Sequence, residues 1–345
     1  MPGTKSCVVG FDAFIDYITR PIADRENNEP KYFHDSGEYA DFLRDRKDKS
    51  FSVELETPQI RIGGNNPNMS RILSGCGADV VSFGAYGKTA IDPVFLPLAE
   101  RCRLVSFANP GKCTSYEFTV NKMMNFYNMD RRDYTWENLM KFISPEEIGS
   151  IMNRADIIIF VNPSEQPAVL DIMEMLLKTI FPRFTGRKLF FMDFSDCSHL
   201  SHNELSRSFG FLRALKSFGA LTVSVNENEY RILSRHAGIP APDGETCGAG
   251  LASFRKALEA DRLVLRTLKT FYCSSSSGQT EVPNEIVDDP SYLTGAGDAQ
   301  NAGFCLGMLE DVSEKEMLLT GVRAGNLYIK TGEVNPEMLF KGVSK

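Results

Sequence analysis

The chain has 345 residues, 42% of them hydrophobic and 24% charged, with a formal net charge of -7. That is ordinary globular usage, so a disordered chain is excluded, and about 100–200 residues per domain leaves room for one large domain plus a smaller appendage. The acidic balance argues against a nucleic-acid or membrane-surface binder, which carries a basic excess, but it tolerates a local basic pocket for phosphate.

In chain order, short apolar runs alternate with segments of helical period. "SCVVGF" opens the chain, the amphipathic stretch "NPNMSRILSGCG" follows, and "ADVVSFGAYG" comes next. Then come "ADIIIFVNPS", the helix-period segment "QPAVLDIMEMLLKTI", "KLFFMDFSD", "NELSRSFGFLRALKSFG", "ALTVSVNENE", "GLASFRKALEA" and "RLVLRTL". Apolar runs of this length read as strands buried on both faces, and their alternation with helices predicts a doubly wound, mostly parallel α/β sheet with helices on both faces. Residues 17–60 and 112–129 break the pattern. The first is polar, with a helix in "GEYADFLRDRK" and a strand in "SFSVELETPQIRIGG"; the second alternates like a one-faced strand pair. Together they predict a small β-rich lid over a core of residues 1–16, 61–111 and 130–345. The tetraserine at Ser274–Ser277 reads as a loop tip.

Eight cysteines, at 7, 76, 102, 113, 197, 247, 273 and 305, are scattered without a C-x-x-C pair. That usage suits a reducing interior. The start lacks a basic segment followed by a long apolar one, and runs such as Ile157–Val161 are far too short to span a bilayer. The expectation is a cytoplasmic protein.

Polar residues cluster where the predicted strands end, the edge at which such sheets bind ligands. Asp12 and Asp16 follow the first strand, and Gly63-Gly64 precedes the amides Asn65 and Asn68. Asn226 and Glu229 follow "VSV", either as ligands or as caps of the next helix. Near the C-terminus, Gly295-Ala296-Gly297 stands directly before Asp298 and an apolar helix. A glycine turn opening a helix leaves unpaired N–H groups at the positive end of the dipole, an anion site. A carboxylate beside such a site suits proton removal from an attacking hydroxyl during phosphoryl transfer. "CSHLSH", with Cys197, His199 and His202, lacks a fourth ligand at zinc spacing.

These residues resemble a family. "LTGAGDAQNAGF" is similar to the C-terminal signature of the ribokinase-like, or pfkB-type, carbohydrate kinases. "GGNNPN" followed by "GADVVSFGAYGK" resembles that family's N-terminal signature, "NENE" its N-x-x-E motif, and "AFIDYI" its first strand end. The four stand in the family's order over most of the chain. The resemblance implies a sugar kinase using ATP and Mg²⁺, with Asp298 as general base and Gly295, Ala296 and Gly297 as the anion hole. It also implies that Asn226, Glu229 and Thr267 serve the nucleotide and its metal (Glu229 through water), and that Asp16, Asp12, Gly63, Gly64 and Asn68 face the sugar. Lid strands pair between subunits in this family, which implies a homodimer.

Three departures bear on that expectation. Tyr292 stands where the family has an aspartate that helps shape the loop and its monovalent-cation site, which puts bound K⁺ in doubt. Lys269 and Tyr272 occupy a loop that normally carries glycines. Ser195 and Cys197 replace an amide and a guanidinium in "MDFSDC". A nucleoside acceptor, with Tyr116, Phe118 or Phe126 stacking a base, and a non-catalytic ligand-binding relative stay open beside the sugar kinase.

Overall fold

Every apolar run predicted as a buried strand is one in the computed structural model, which describes residues 4–127, 131–166, 168–240, 248, 250–287 and 290–340. Cys247 and the boundary drawn at 129/130 lie outside the described residues. In spatial order the main sheet runs Arg103–Ser106, Asp79–Gly84, Ser6–Gly10, Ile157–Val161, Lys188–Asp193, Gly219–Asn226 and Arg262–Arg266, all parallel. Two antiparallel strands, Thr270–Ser275 and Gly278–Pro283, complete one edge. Ile157–Val161 shows why the runs become central strands. All five residues are buried, and β-branched side chains pack well on a sheet covered on both faces. Helices Asn65–Gly75, Val169–Thr179, His202–Leu215, Leu251–Ala257 and Ala296–Leu309 supply that cover.

The tetraserine differs from its reading as a loop tip. Ser274 and Ser275 are the end of a strand, and the turn begins only after them. The 18-residue helix Glu314–Thr331 was not legible as a helix, because "TGVRAG" interrupts its apolar spacing with small residues. It packs along Ala296–Leu309 with Leu318 and Ala324 buried.

Chain order places Ser6–Gly10 between Asp79–Gly84 on one side and Ile157–Val161 on the other, so connections leave it in both directions. Such a switch point opens a crevice beyond the carboxyl ends of the strands. Two smaller sheets stand over that edge. One orders Lys122–Phe126, Gly111–Glu117, Phe14–Thr19 and Gln59–Gly63; the other orders Glu29–Tyr32, Pro21–Glu26 and Glu54–Leu55. Helix Ser36–Arg44 packs on them, its N-terminus capped by the Asp35 carboxylate. They hold a separate aromatic cluster of Phe33, Tyr39 and Phe118. No described helix is long and apolar enough to cross a membrane.

Candidate active site

Beyond the strand ends lies a cavity of about 550 Å³. Its floor is built by residues at or just past the carboxyl ends of successive strands. Asn162 follows Ile157–Val161, Asp193 ends its strand, Asn226 ends the next, and Arg266 ends the one after that. Its roof comes from the smaller sheet, through Phe14, Asp16, Lys122, Met124 and Phe126.

Helix Ala296–Leu309 enters from one side. Gly295 is its N-cap with φ +94, a conformation a side chain resists, and a Cβ there would lie 2.6 Å from the Tyr328 hydroxyl. The N–H groups of Ala296, Gly297 and Asp298 then have no intrahelical acceptor. Gly295, Gly297 and Asp298 line the cavity, whereas Ala296 does not. Asp298 is buried, and its Oδ2 accepts from Asn68 Nδ2 at 2.9 Å. Burial raises its pKa to about 8, Asp193 and Asp12 push the same way, and Asn68 and Arg266 oppose them. A carboxyl poised there takes and returns a proton near neutrality.

The sugar-facing residues of the sequence reading separate into two sets. Asp16, Gly64 and Asn68 line the cavity. Asp16 Oδ1 is buried without a hydrogen-bond partner, and burial raises this carboxyl to about 6. Gly63 makes room for it, since a Cβ at that position would fall 2.2 Å from Oδ1. Asp12, by contrast, does not line the cavity. Its Oδ1 accepts from Asn66 N–H (2.9 Å), and its Oδ2 from Asn65 N–H (3.0 Å) and Asn162 Nδ2 (2.8 Å). Three donors thus commit it to anchoring the start of helix Asn65–Gly75.

Asn226 and Glu229 are both caps and cavity residues. Asn226 accepts from Glu229 N–H, and the Glu229 carboxylate accepts from Asn226 N–H at 2.8 Å and Nδ2 at 2.6 Å. Burial, reinforced by Asp193, holds Glu229 well above the ordinary carboxylate range, with Arg266 opposing. Thr267 lies outside the cavity. It is in the turn between Arg262–Arg266 and Thr270–Ser275, where its hydroxyl donates to Thr270 O at 2.8 Å. Lys269 stands in that same turn.

Three cavity residues carry chemistry that the sequence reading did not single out. Arg266 donates to Asp193 Oδ1 (2.9 Å), Ser224 Oγ (3.0 Å) and Gly297 O (3.2 Å), tying the acidic floor to the turn that opens helix Ala296–Leu309. It brings a guanidinium to the site where Cys197 lacks one; Cys197 itself is buried. Asn162 and Lys122 are the others. Lys122 Nζ donates to Thr294 Oγ1 at 3.2 Å and reaches the cavity from an edge strand of the small sheet. Surrounding protein lowers its pKa, against the pull of Glu117, Asp298 and Asp16. A charged residue ending an apolar strand was a usable signal for Arg266. Nothing local marks Lys122, because its place depends on how the two sheets meet.

The remaining aromatic and histidine readings also resolve. Tyr116 and Phe118 pack on Tyr39 (ring centroids 6.0 and 5.8 Å), while Phe126 lies 5.3 Å from Phe14 at the cavity wall. His199 is 3.5 Å from Glu165, and the His202 ring lies tilted against His236 with centroids 4.5 Å apart. Among the described residues no three acidic, histidine or cysteine side chains converge to hold a metal unaided.

A family model for prokaryotic ketohexokinase matches residues 2–339. A ketohexokinase of Haloferax volcanii is 22% identical over 331 residues, covering 94% of this chain and 86% of the relative. Among solved structures, Escherichia coli phosphofructokinase-2 superposes with a TM-score of 0.65 at 15% identity, covering 98% of both chains. The same protein has also been solved with potassium. Adenosine kinase from Sinorhizobium meliloti gives a TM-score of 0.66 at 15% identity over 97% of this chain and 96% of that one. The acid beside a glycine-capped helix thus stands on a shared kinase fold, and the chain belongs to the prokaryotic ketohexokinase family: it is a sugar kinase, a phosphotransferase with an alcohol acceptor.

Proposed function

We propose that this chain transfers the γ-phosphoryl group of ATP to a hydroxyl of a ketohexose, with Asp298 as the base. The observation that carries this reading is Asp298 itself, buried at the third position of a glycine-capped helix and opening into the same cavity as Asp16. As the acceptor hydroxyl attacks, its proton passes to Asp298. The new O–P bond forms as the bond from Pγ to the β-γ bridging oxygen breaks, and ADP leaves with that electron pair. The N–H groups of Gly297 and Asp298, the helix-start residues that line the cavity, face the charge that builds on the transferring group. Asp16 and Asn68 grip sugar hydroxyls, with Gly64 giving close approach. Lys122 is the cavity's less committed cation, because Arg266 already holds three acceptors.

The donor set fits a magnesium ion carried on nucleotide phosphates. Burial is the first cause of the raised pKa values of Asp298, Glu229 and Asp16, and all three line the cavity, so a cation brought with the nucleotide would favour their ionised forms. Mg²⁺ keeps most of its waters and needs only one or two carboxylates; Glu229, through water, and Asp193 would supply them. When bound, the ion offsets charge on the phosphates. Potassium does not fit behind the loop. Thr294 O accepts from the Tyr328 hydroxyl, Ile329 O from the N–H groups of Ser291 and Tyr292, and Gly332 O from Arg71. Arg61 lies 4.6 Å over the Tyr292 ring. The guanidinium groups of Arg61 and Arg71 repel a further cation there, and the carbonyl oxygens that could ligate one are already engaged by donors.

Residues 17–60 and 112–129 act as a lid on the core, and the sheets that carry them extend to Phe14 and Gly63. Closure would exclude water, so that the sugar alone accepts the phosphoryl group. Exposed Phe51, Ile60 and Val120 on this part support a homodimer through the lid, which light scattering would reveal as twice the chain mass. Cysteines without disulfides among the described residues support a cytoplasmic setting.

The deciding experiment follows ADP release with MgATP and each ketohexose in turn, fructose first, with adenosine as the competing acceptor. Turnover on a ketohexose is expected. Turnover on adenosine alone would transfer the reading to a nucleoside kinase, with Phe14 and Phe126 flanking the base. Ligand binding without turnover on any acceptor would leave a non-catalytic relative.

A further inference from the structure

A second cavity, of about 710 Å³, lies between the small sheet and the core helices. Arg61 reaches it from strand Gln59–Gly63, and Arg71 from helix Asn65–Gly75. Both guanidinium groups lie over tyrosine rings, Arg61 over Tyr292 at 4.6 Å and Arg71 over Tyr328 at 5.6 Å. Arg71 donates to Gly332 O at 3.1 Å, and Arg61 donates to the Gln59 side-chain oxygen. Neither is ion-paired among the described residues. Glu333 is the one acid on the cavity wall. Two arginines without carboxylate partners thus face one cavity in a chain of net charge -7, and a planar fork of donors matches phosphate oxygens. Ile62, Pro93 and Pro97 give the same cavity an apolar side for a carbon skeleton.

We infer that this cavity binds a small phosphate monoester between Arg61 and Arg71, and that its occupancy tightens the sugar site. The link is Tyr328. Its hydroxyl donates to Thr294 O at 2.8 Å, directly before the Gly295 turn, and its phenol feels Arg71 and Arg61 as well as Asp298 and Asp16. Asn68 lines both cavities and holds Asp298. Arg61 also stands opposite Asp16 in the strand register. An anion drawing Arg61 toward Arg71 therefore fixes the strand beside Asp16 against the core. Differential contact of this kind between two states is what couples sites.

The site stands without the kinase reading, whereas its effect on sugar rests on it. The test titrates the full chain with inorganic phosphate and, separately, fructose 1-phosphate by calorimetry, in the wild type, in Arg61→Met/Arg71→Met and in Lys122→Met. The expected result is saturable binding of at least one probe, lost in the double arginine variant and kept in Lys122→Met. Absence of binding by both probes overturns the site. So does binding that survives the arginine changes or vanishes with Lys122, since the anion then sits in the catalytic cavity. Fructose affinity is measured with and without phosphate in parallel. An increase of about five-fold is expected in the wild type and none in Tyr328→Phe. An equal increase in Tyr328→Phe overturns the coupling route. Fructose that fails to bind under any condition counts against the kinase reading, while the phosphate titration still decides the site.

Discussion

The main sheet and the small sheets above it are held by different means. Under the cavity, the core fixes its polar groups. Asp12 has three donors and Arg266 three acceptors, and both stand on a wide floor of buried side chains that includes Phe160, packed 5.2 Å from Phe211 and 6.1 Å from Phe11. The upper sheets gather only a small separate cluster, around Phe33, Tyr39 and Phe118, and the groups they send down are held loosely. Asp16 leaves an oxygen unpaired, and Lys122 rests on one hydroxyl. Preorganised groups cost little reorganisation at the moment of reaction, while loosely held ones are free to meet an incoming ligand. On the proposed reading, the lower half orders the phosphoryl group and the upper half recognises and encloses the sugar.

That contrast can be broken at its chemical centre. Asp298→Asn is expected to lower turnover by roughly 10²–10⁴-fold while sugar binding persists, as steady-state kinetics and calorimetry would show. Full turnover in the variant removes Asp298 from the role of base. The wild-type profile of kcat/KM should rise with pH through an apparent pKa near 8, because the base works only when ionised and burial holds it protonated below that. Arg266→Met should move this limb upward, since the guanidinium favours the ionised form. The stability sign is opposite. A folded pKa above the ordinary 3.8 makes the protonated carboxyl the favoured native form. Its contribution is complete below 3.8 and is lost as pH rises through about 8, so at pH 9 Asp298→Asn should melt higher than the wild type.

From the lid side, Lys122→Met should reduce kcat by about 10²-fold, the size of one electrostatic donor, with nucleotide affinity little changed. A change in KM alone would make Lys122 a binding group only. The packing contrast is sharpened by two truncations. Phe160→Ala should cost the whole protein about 3–5 kcal/mol, seen in the denaturation midpoint. Tyr39→Ala should instead speed hydrogen exchange across the upper strands with a near-native Tm. Equal losses of Tm would make core and lid one cooperative unit. The smallest expected effect is none: replacing K⁺ by Na⁺ or N-methylglucamine should leave turnover unchanged, and strong K⁺ dependence would overturn the donor argument behind the Gly295 loop.

Local patterning was enough for six of the seven parallel strands, several of the helices that cover them and the glycine turn before Asp298. β-branched runs, helical spacing and a residue-poor turn are written in consecutive positions, where the backbone itself imposes the period. Asn226 and Glu229 were legible as a pair for the same reason, since three residues separate a cap from its partner. Where neighbours in space are distant in the chain, the string of residues was silent. Asp12 reads like a ligand beside Asp16, yet only the fold shows it spent on Asn65, Asn66 and Asn162. Lys122 lies 172 positions from the Thr294 hydroxyl it meets, and Arg266 73 from Asp193. Arg61 and Arg71 share a cavity because a lid strand crosses a core helix. Periodicity fixes which face of an element is apolar, but which charges come to share a cavity is settled by packing, through burial and hydrogen bonds between elements that no local window contains.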